Sequence, residues 1–450
     1  MINKKKYFIF IILIISLNHC SFDKKSGIWK GYEKEVKRVG ELEEQNESFK
    51  SKVKVFSTSD EFAKEVNAKE EMSLKEPAKN IAWAMPGLNL QNSLGNLALG
   101  GFQNKFLSDK VGKNKFALLQ KIQSPLFYEN NLVLSDDKGT LYKINRKGQK
   151  YWKVNIYGKI YKKLHKNLTF AIYNKTIYVA DNIGFIYGVN FDNGNIIWKK
   201  NFGVPFKSRI KIFNDKIYII DQDNRMLSLN IKDGSKVWDI PTLRTFIKSQ
   251  DLLGLAVTKN GDLVFLNTTG DVLKVNSTNG RIYWSINSLT SLSAFVTDFF
   301  NSSDIVINEN NAIFSSGKST FSLNLQTGYV NWIAKLRSNN IPIIDKDNVF
   351  LVTNEGFYVN LNKKNGKIIW STNILNSIKK KHRSTRISGF VMGSDKIIAT
   401  TLNGYLIVCS AINGKVEYIK KISDSINSNP IIANNELYIL TTSSKVLGFK

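Results

Sequence analysis

The sequence predicts an all-β fold, an eight-bladed β-propeller whose blades are four-stranded antiparallel sheets and whose last blade is closed by N- and C-terminal strands. Three observations support this prediction: an aromatic motif that repeats, turn residues at a constant distance from it, and an incomplete last copy. Self-similarity with a period of about 40 to 50 residues is typical of repeat architectures such as propellers.

The repeated motif is Gly-x-x-x-Trp, and its seventh copy ends in Tyr instead of Trp. Successive aromatic residues are separated by 46, 40, 46, 48, 38 and 48 residues. Because each aromatic residue follows its turn at a fixed distance, we expect it to pack between adjacent blades. The aromatic positions are Trp152, Trp198, Trp238, Trp284, Trp332, Trp370 and Tyr418.

Each copy also contains signals for the strands and turns of one blade. Asn-Gly and Asp-Gly pairs such as Asn193-Gly194 favour tight hairpin turns, because these residues tolerate positive φ. Upstream, a second turn leads into segments such as residues 184–190, in which apolar and small or polar residues alternate as in a sheet strand. A further strand precedes it, for example residues 216–220. One repeat therefore contains about four short antiparallel strands.

The last copy is incomplete. Residues 444–450 form an eighth upstream half, but the chain ends before the corresponding Gly-x-x-x-Trp strand. A circular array left open there would expose an unpaired strand edge. Residues 80–85 carry Trp83 just upstream of the repeats, so they are the predicted closing strand.

Residues 1–19 predict a lipoprotein-type signal peptide that is cleaved before Cys20. Three lysines precede an apolar run of about 11 residues, which is short for a membrane-spanning helix. The run ends in Leu17-Asn-His-Cys20, which resembles the bacterial lipobox and implies lipidation of Cys20. Since Ser21 is not the Asp that often signals inner-membrane retention, the resemblance implies the outer membrane of a Gram-negative bacterium, facing the periplasm. An ordinary membrane anchor, or a signal cleaved elsewhere, is the alternative.

Residues 20–79 predict a polar tether that is largely disordered, and residues 81–450 predict the propeller. Residues 21–79 contain 13 Lys or Arg and 13 Asp or Glu, with few aromatic residues. Such a segment buries too little apolar surface to fold alone. The uniform repeats that follow favour a single closed domain.

The net charge of +27 comes from 64 basic and 37 acidic residues. A basic balance usually favours nucleic-acid binding, but an exported lipoprotein rarely meets nucleic acid, so no such partner is predicted. The lysines are spread over many turns, which favours a compositional bias over a specific basic site. Attraction to anionic lipid or to an acidic partner stays open.

The sequence offers few groups for catalysis or metal binding. His165 and His382 lie far apart in the chain, and Cys409 lies in an apolar strand, as a small buried residue would. Turns such as residues 221–224 carry several Asp and Asn residues, but they lack the glycine and terminal Glu of a calcium loop. No catalytic residue, metal or cofactor is therefore predicted.

The repeat resembles the quinoprotein-type propeller, which occurs in two groups of proteins. In one, dehydrogenases hold pyrroloquinoline quinone and calcium at the propeller axis and commonly carry an adjacent Cys-Cys pair, which this sequence lacks. The other is the BamB family, lipoprotein subunits of the machinery that assembles β-barrels in the bacterial outer membrane. The lipobox, the short tether, Trp83 and the blades running to the last residue resemble the BamB family. A quinone-dependent dehydrogenase or a small-molecule-binding propeller is the alternative.

The BamB resemblance implies a non-enzymatic scaffold that binds periplasmic domains of the barrel-forming subunit, BamA, through loops on one face. Leu243 and Arg244 match the Leu-Arg of one such loop, and Asp298 and Asp304 are the acids nearest to the Asp-x-Asp of the next loop. Ordinary surface positions are the alternative for these residues. A strand edge is a second candidate surface, for unfolded outer-membrane proteins, by strand addition.

Overall fold

The computed structural model describes residues 65–68, 72–112, 121–161, 164–244, 252–288, 302–353 and 355–450. Within them the chain forms eight antiparallel sheets of four strands each, which confirms the predicted eight-bladed β-propeller. First strands of neighbouring blades contact each other, so they surround the axis and the fourth strands lie outside. We call the four strand positions A to D, from the axis outwards.

Successive strands alternate in direction, which gives the propeller two different faces. The A–B and C–D turns lie on one, here called the turn face; the B–C turns and the D–A connections between blades lie on the other, the connection face. Blade 1 contains β2–β5, each later blade takes the next four strands, and blade 8 contains β30–β32 and β1. The strands are β1 (Lys105–Lys110), β2 (Leu126–Tyr128), β3 (Asn131–Ser135), β4 (Thr140–Asn145), β5 (Lys150–Asn155), β6 (Leu168–Tyr173), β7 (Thr176–Asp181), β8 (Phe185–Asn190), β9 (Ile196–Asn201), β10 (Lys211–Phe213), β11 (Lys216–Ile220), β12 (Met226–Asn230), β13 (Lys236–Ile240), β14 (Leu255–Val257), β15 (Leu263–Leu266), β16 (Asp271–Val275), β17 (Ile282–Asn287), β18 (Val306–Asn308), β19 (Asn311–Ser316), β20 (Ser319–Asn324), β21 (Val330–Ala334), β22 (Ile343–Asp345), β23 (Asn348–Val352), β24 (Phe357–Asn362), β25 (Ile368–Asn373), β26 (Ile387–Gly393), β27 (Lys396–Thr401), β28 (Tyr405–Ser410), β29 (Val416–Lys421), β30 (Ile431–Ala433), β31 (Glu436–Leu440) and β32 (Lys445–Phe449).

Blade 8 combines three C-terminal strands with one strand from the N-terminal part of the chain, as predicted, but the N-terminal strand is a different one. β1 pairs antiparallel with β32, which places Leu107 opposite Gly448. The prediction that residues 80–85 close the propeller is wrong, because Trp83 instead forms an isolated antiparallel bridge with Phe127 of the innermost strand β2. Trp83 is therefore not the blade tryptophan that the repeat suggested.

Leu107 occupies the tryptophan position of the closing strand. In blade 1, Trp152 stands opposite Lys143, the fourth residue of its C strand, and a register shift follows the pair. Leu107 stands opposite Gly448, the fourth residue of β32, beside the same kind of shift. It is 4% exposed, and a Cβ added at Gly148 of blade 1 would lie 3.1 Å from its Cδ1. Because Leu107 is not aromatic, the repeated aromatic motif could not identify β1 as the closing strand.

The tryptophans of the motif join each blade to the next. Trp198 donates a hydrogen bond from Nε1 to the carbonyl oxygen of Ile231 in blade 3, over 3.1 Å, and its ring covers Gly234. The ring lies so close that a Cβ added at Gly234 would be 2.6 Å from Trp198 Cζ3. Four further tryptophans donate in the same way, from Trp152 to Phe191, Trp238 to Ser277, Trp284 to Leu325 and Trp332 to Lys363.

The last two aromatic positions depart from this pattern. The ring of Trp370 covers Gly414, but its indole N–H has no hydrogen-bond partner among the described residues. Tyr418 instead packs edge-on against Phe102, with ring centroids 5.3 Å apart, just before β1. The series of inter-blade tryptophan hydrogen bonds thus ends near blade 8, where the N- and C-terminal parts of the chain meet.

Two described parts of the predicted tether contact the propeller. Val66 and Ser371 exchange two backbone hydrogen bonds of 2.9 Å, so residue 66 lies beside the outer strand β25 of blade 6. The N–H of Lys75 donates to Asp345 Oδ2 of the same blade over 2.7 Å. Cys20 and the signal segment lie outside the described residues. No described helix is long and apolar enough to cross a membrane.

Candidate partner-docking surface

Residues 75–98 form a collar around the mouth of the central channel on the turn face. The collar closes on itself, because Ala78 N–H donates to Asn96 O and Ala98 N–H donates to Ala78 O, both over 2.8 Å. It is bonded to the A strand, or to the residue next to it, in all eight blades. From blade 8 onwards the bonds are Asn434 N–H to Asn80 O, Phe127 N–H to Trp83 O, Ile172 N–H to Ala84 O, Lys211 Nζ to Pro86 O, Val257 N–H to Leu90 O, Ile307 N–H to Gln91 O, Lys75 N–H to Asp345 Oδ2 and Leu97 N–H to Met392 O.

Lys211 holds the collar from inside the propeller. Its ammonium group donates to Pro86 O at 2.9 Å, to Asn89 O at 2.7 Å and to Asn92 Oδ1 at 2.6 Å. The side chain is fully buried, and this burial lowers the pKa of Lys211 to about 7, against a smaller upward effect of Asp304. Three acceptors satisfy the three N–H groups, which is what a buried ammonium requires.

A narrow cavity lies around the channel axis, on the side of the collar that faces the interior of the propeller. It is lined by polar groups from several blades, among them Gln123, Ser124, Asn340 and Asn429. Arg209, which also lines it, forms an ion pair with Asp304 over 2.6 Å. The collar closes the turn-face end of the channel, so a ligand would enter from the connection face.

The described residues do not assemble a metal or thiol site. No group of three His, Cys, Asp or Glu side chains among them could hold a metal ion. Asp221, in one of the Asp-rich turns, accepts backbone N–H donations from Asp223 and Arg225 over 2.8 and 3.0 Å, so its carboxylate caps the turn. Cys409 is buried, and burial raises the pKa of its thiol to about 12, which makes it unreactive.

Residues 241–244 contain the predicted Leu-Arg docking motif and begin the connection from blade 3 to blade 4. They therefore lie on the connection face. Leu243 is 45% exposed and Arg244 is exposed. Among the described residues no acidic side chain is ion-paired with Arg244, and Asp239, five positions earlier in the chain, is paired with Lys236 and Arg225. An exposed apolar side chain beside an exposed guanidinium is a suitable anchor for a protein partner.

Asn224 fixes the backbone of this motif. Its side-chain Nδ2 donates to Leu243 O over 2.8 Å, and its backbone carbonyl oxygen accepts from Thr242 Oγ1 over 2.7 Å. Its Oδ1 accepts from the N–H and the Oγ1 of Thr268 in blade 4, over 3.1 and 2.7 Å. A single buried amide thus joins the docking motif to two blades.

The role of Asn224 had one signal in the sequence. The corresponding turn position is glycine in three neighbouring blades, at Gly139, Gly184 and Gly270, and all three have positive φ. Asn224 has φ +62°, a conformation that asparagine tolerates better than most residues. The departure from glycine marks a position where the side chain itself has a function.

The two acidic residues predicted for docking do not join this surface in the described part of the chain. Asp298 lies outside the described residues. Asp304 is 6% exposed and paired with Arg209 at the channel, so its carboxylate is not offered to a partner on the exposed surface. Burial against the opposite charge, which no local pattern reveals, accounts for this difference from the prediction.

Comparison with known proteins identifies relatives over most of the propeller. A family model described as outer membrane protein assembly factor BamB matches residues 137–372, slightly more than half of the chain. BamB of Moranella endobia (strain PCIT) is 19% identical over 334 residues, which cover 63% of this chain and 84% of that protein. BamB of Yersinia pestis is 25% identical over 284 residues, covering 61% and 68%.

Solved structures with the same fold include both groups of propellers. BamB from Moraxella catarrhalis has a TM-score of 0.63 at 13% identity, over 76% of this chain and 100% of that one. A quinohemoprotein alcohol dehydrogenase from Pseudomonas putida HK5 also has a TM-score of 0.63, at 9% identity over 83% and 80%. At these identities the structures show the shared fold alone. The family model, which covers more than half of the sequence, shows that the chain belongs to the BamB family of outer membrane protein assembly factors.

Proposed function

We propose that this protein is a non-enzymatic scaffold subunit of the machinery that assembles β-barrels in the outer membrane. It binds the periplasmic domains of the barrel-forming, BamA-like subunit through the connection that contains Leu243 and Arg244, and so helps client barrels to insert. Membership of the BamB family and the exposed, rigidly held Leu-Arg motif support this proposal. Unfolded outer-membrane proteins are further candidate partners at strand edges.

The anchoring bonds around the motif are the observation that carries the proposal. An interface residue contributes most when its conformation is fixed before binding, because less conformational entropy is lost on association. Asn224 and Thr268 supply that fixation for Leu243 through buried hydrogen bonds. Leu243 offers apolar area, and Arg244 offers a planar fork that fits a carboxylate.

The proposal places the propeller on the periplasmic side of the outer membrane. Lipidation at Cys20 would hold the chain there, and residues 20–79 would allow the propeller to reach partner domains at a distance from the membrane. Each of these steps is a prediction from the N-terminal sequence. The anchor is tested separately by comparing the native chain with Cys20→Ala. The measurements are the amount of protein in the membrane fraction and the mobility of the mature protein on gels.

The docking proposal is tested by affinity capture from detergent-solubilised envelopes with the full-length protein as bait. A large β-barrel protein with periplasmic repeat domains should be recovered at near-equal stoichiometry. The variant Leu243→Ala with Arg244→Glu should lose most of this recovery. A matched control, Ile412→Ala with Lys415→Glu, changes an exposed apolar residue and a nearby cation on the turn face and should capture normally. Equal recovery with both double variants would remove Leu243 and Arg244 from the interface.

The dehydrogenase alternative has no comparable support in this chain. The quinohemoprotein alcohol dehydrogenase from Pseudomonas putida HK5 shares the fold at 9% identity, and the sequence lacks the adjacent cysteines common in such enzymes. Ultraviolet-visible spectra of the purified protein with added pyrroloquinoline quinone and calcium distinguish the two functions. A saturable change in the quinone spectrum would favour the alternative over a pure scaffold.

A further inference from the structure

The connection from blade 6 to blade 7 carries a dense cluster of exposed cations. Residues 376–386, here called the basic loop, contain Lys379, Lys380, Lys381, Arg383 and Arg386, all exposed. Among the described residues no acidic side chain forms an ion pair with any of them. The prediction that the lysines are spread over many turns therefore overlooked this cluster, in which Lys379, Lys380 and Lys381 are consecutive in the sequence and all exposed.

The basic loop has a defined conformation. The guanidinium of Arg383 donates to Ile378 O over 2.9 Å and to Asn376 O over 2.8 Å, which ties the loop to itself. Asn403 Nδ2 donates to His382 O over 2.9 Å from the next blade. Ile378 is 2% exposed and packs into the core. The lysines consequently project from a fixed backbone.

A second connection on the same face presents an apolar side chain to solvent. Ile160 is 89% exposed and Leu164 is 49% exposed, between blades 1 and 2, next to the exposed Lys159. Aromatic packing holds the residue after Ile160 in place, since Tyr161 contacts Tyr157 and Phe185 with ring centroids 6.4 and 5.2 Å apart. Of the large apolar side chains in the described part of the chain, Ile160 is the most exposed.

From these two connections we infer that the connection face binds an anionic phospholipid surface. Clustered exposed lysines are attracted to phosphate-bearing headgroups, at about 1 kcal/mol for each basic residue near the surface. An exposed isoleucine flanked by lysine can enter the boundary between headgroups and acyl chains. An acidic protein would use the cations but would leave Ile160 without a role. Lipid therefore accounts for both connections.

The inferred surface is compatible with the proposed docking surface and does not depend on it. The docking motif follows blade 3 and the basic loop follows blade 6, so the two lie three blades apart around the same face. The two surfaces therefore share no residue. Lipid contact would orient the connection face towards the membrane, whatever protein binds beside it.

Vesicle sedimentation tests the inference directly. The chain from residue 20 to residue 450 is used with Cys20→Ala throughout, so that neither an acyl chain nor the apolar signal segment contributes to binding. The protein should sediment with vesicles of equal parts phosphatidylcholine and phosphatidylglycerol, should remain in solution with phosphatidylcholine alone, and should be released by high salt. Equal binding to both vesicle types, or to neither, would overturn the inference.

Charge-matched variants separate a local site from net charge. Lys379→Gln with Lys380→Gln and Lys381→Gln should weaken binding to the mixed vesicles about 100-fold, from about 1 kcal/mol for each lysine. The control, Lys364→Gln with Lys367→Gln and Lys415→Gln, removes the same charge from exposed turn-face positions and should have a far smaller effect. Equal losses in the two variants would overturn a local site, as would binding of wild type to polyglutamate but not to vesicles.

Insertion of Ile160 has its own readout. In the chain with Cys20→Ala and Ile160→Cys, an environment-sensitive dye attaches at residue 160, because the remaining Cys409 is buried. The dye emission should shift to shorter wavelength when mixed vesicles are added. An unshifted emission from vesicle-bound protein would overturn the assignment of Ile160 to the lipid contact.

Discussion

Lys211 on the innermost strand of blade 3 donates a buried hydrogen bond to Asn92 Oδ1 of the collar over 2.6 Å. The Nδ2 of Asn92 in turn donates to Leu255 O in blade 4 and to Ile305 O before blade 5, over 2.9 and 2.8 Å. One asparagine thus links three consecutive blades. The collar acts as an internal clasp, because it joins blades that are otherwise connected only through their neighbours.

Asn92→Ala should lower the thermal unfolding temperature by several degrees. The change removes one hydrogen-bond partner from two buried carbonyl oxygens and from a buried ammonium group. Each group left without its partner lowers the free energy of unfolding by about 1 to 3 kcal/mol. Asn260→Ala is the control, since Asn260 is exposed on a turn of blade 4. Differential scanning calorimetry of both variants makes the comparison. Identical unfolding temperatures for Asn92→Ala and wild type would show that the collar does not stabilise the propeller.

The stability of wild type relative to Lys211→Met should increase as the pH is raised from about 7 to about 10. Burial lowers the pKa of Lys211 to about 7 in the folded protein, below the ordinary value of 10.5 that applies when it is unfolded. In this window the unfolded state binds more protons, so the free energy of unfolding rises by up to about 1.4 kcal/mol per pH unit. Subtracting the Met variant removes the titration of other groups. A pH-independent difference in urea unfolding would contradict a depressed pKa.

Leu107→Ala should destabilise the protein by about 2 to 5 kcal/mol, as expected for a buried leucine between packed surfaces. Leu107 lies between blades 8 and 1, so its loss weakens the closure of the ring. Ser108→Ala, one residue further along the same strand, is the control. Deleting residues 81–86 should also reduce stability, but through the collar. Only the Leu107 variant therefore reports on closure, and an unfolding temperature equal to that of the control would exclude β1 as the closing strand.

Gly234→Ala should cost more than Gly203→Ala, although the two glycines have φ of +70° and +72°. Both substitutions incur the strain of a left-handed residue, about 1 to 2 kcal/mol. At Gly203 an added Cβ meets nothing within 4 Å, whereas at Gly234 it would lie 2.6 Å from Trp198 Cζ3. The overlap should add about 1 to 3 kcal/mol. Equal unfolding temperatures would mean that the tryptophan ring moves away freely.

Asn224→Gly should weaken capture of the barrel-forming partner while leaving Leu243 and Arg244 in the sequence. Glycine keeps the positive φ but removes the bonds from Nδ2 and Oδ1 that hold Leu243 O and Thr268. We expect a loss of about 5-fold in affinity, because binding must then order the connection, at a cost of about 1 kcal/mol. Surface plasmon resonance with the partner's periplasmic domains measures this. An unchanged affinity would show that Asn224 supports the fold without positioning the motif.

The sequence by itself determined the number of blades, their strand order and the positions of their turns. These features depend on local chemistry: Asn-Gly and Asp-Gly turns such as Asn193-Gly194, the alternation within strands, and an aromatic residue at a constant distance. Each of these features is encoded by residues that lie a few positions apart. Because the same local pattern recurs in each blade, it can be recognised from the sequence. The Leu-Arg motif at Leu243 and Arg244 was also evident from the sequence, as an expectation based on family resemblance.

The tertiary structure decided which segment closes the ring, because closure depends on contacts between residues more than 300 positions apart. Leu107 fills a tryptophan position through its register with Gly448, and Trp83 belongs to an irregular collar without periodicity. The burial of Asp304 against Arg209, and the face on which the consecutive lysines 379–381 are exposed, were likewise decided in space. Pairing of charges and exposure of surfaces arise only when distant connections meet on one face, and a local pattern contains no record of that meeting.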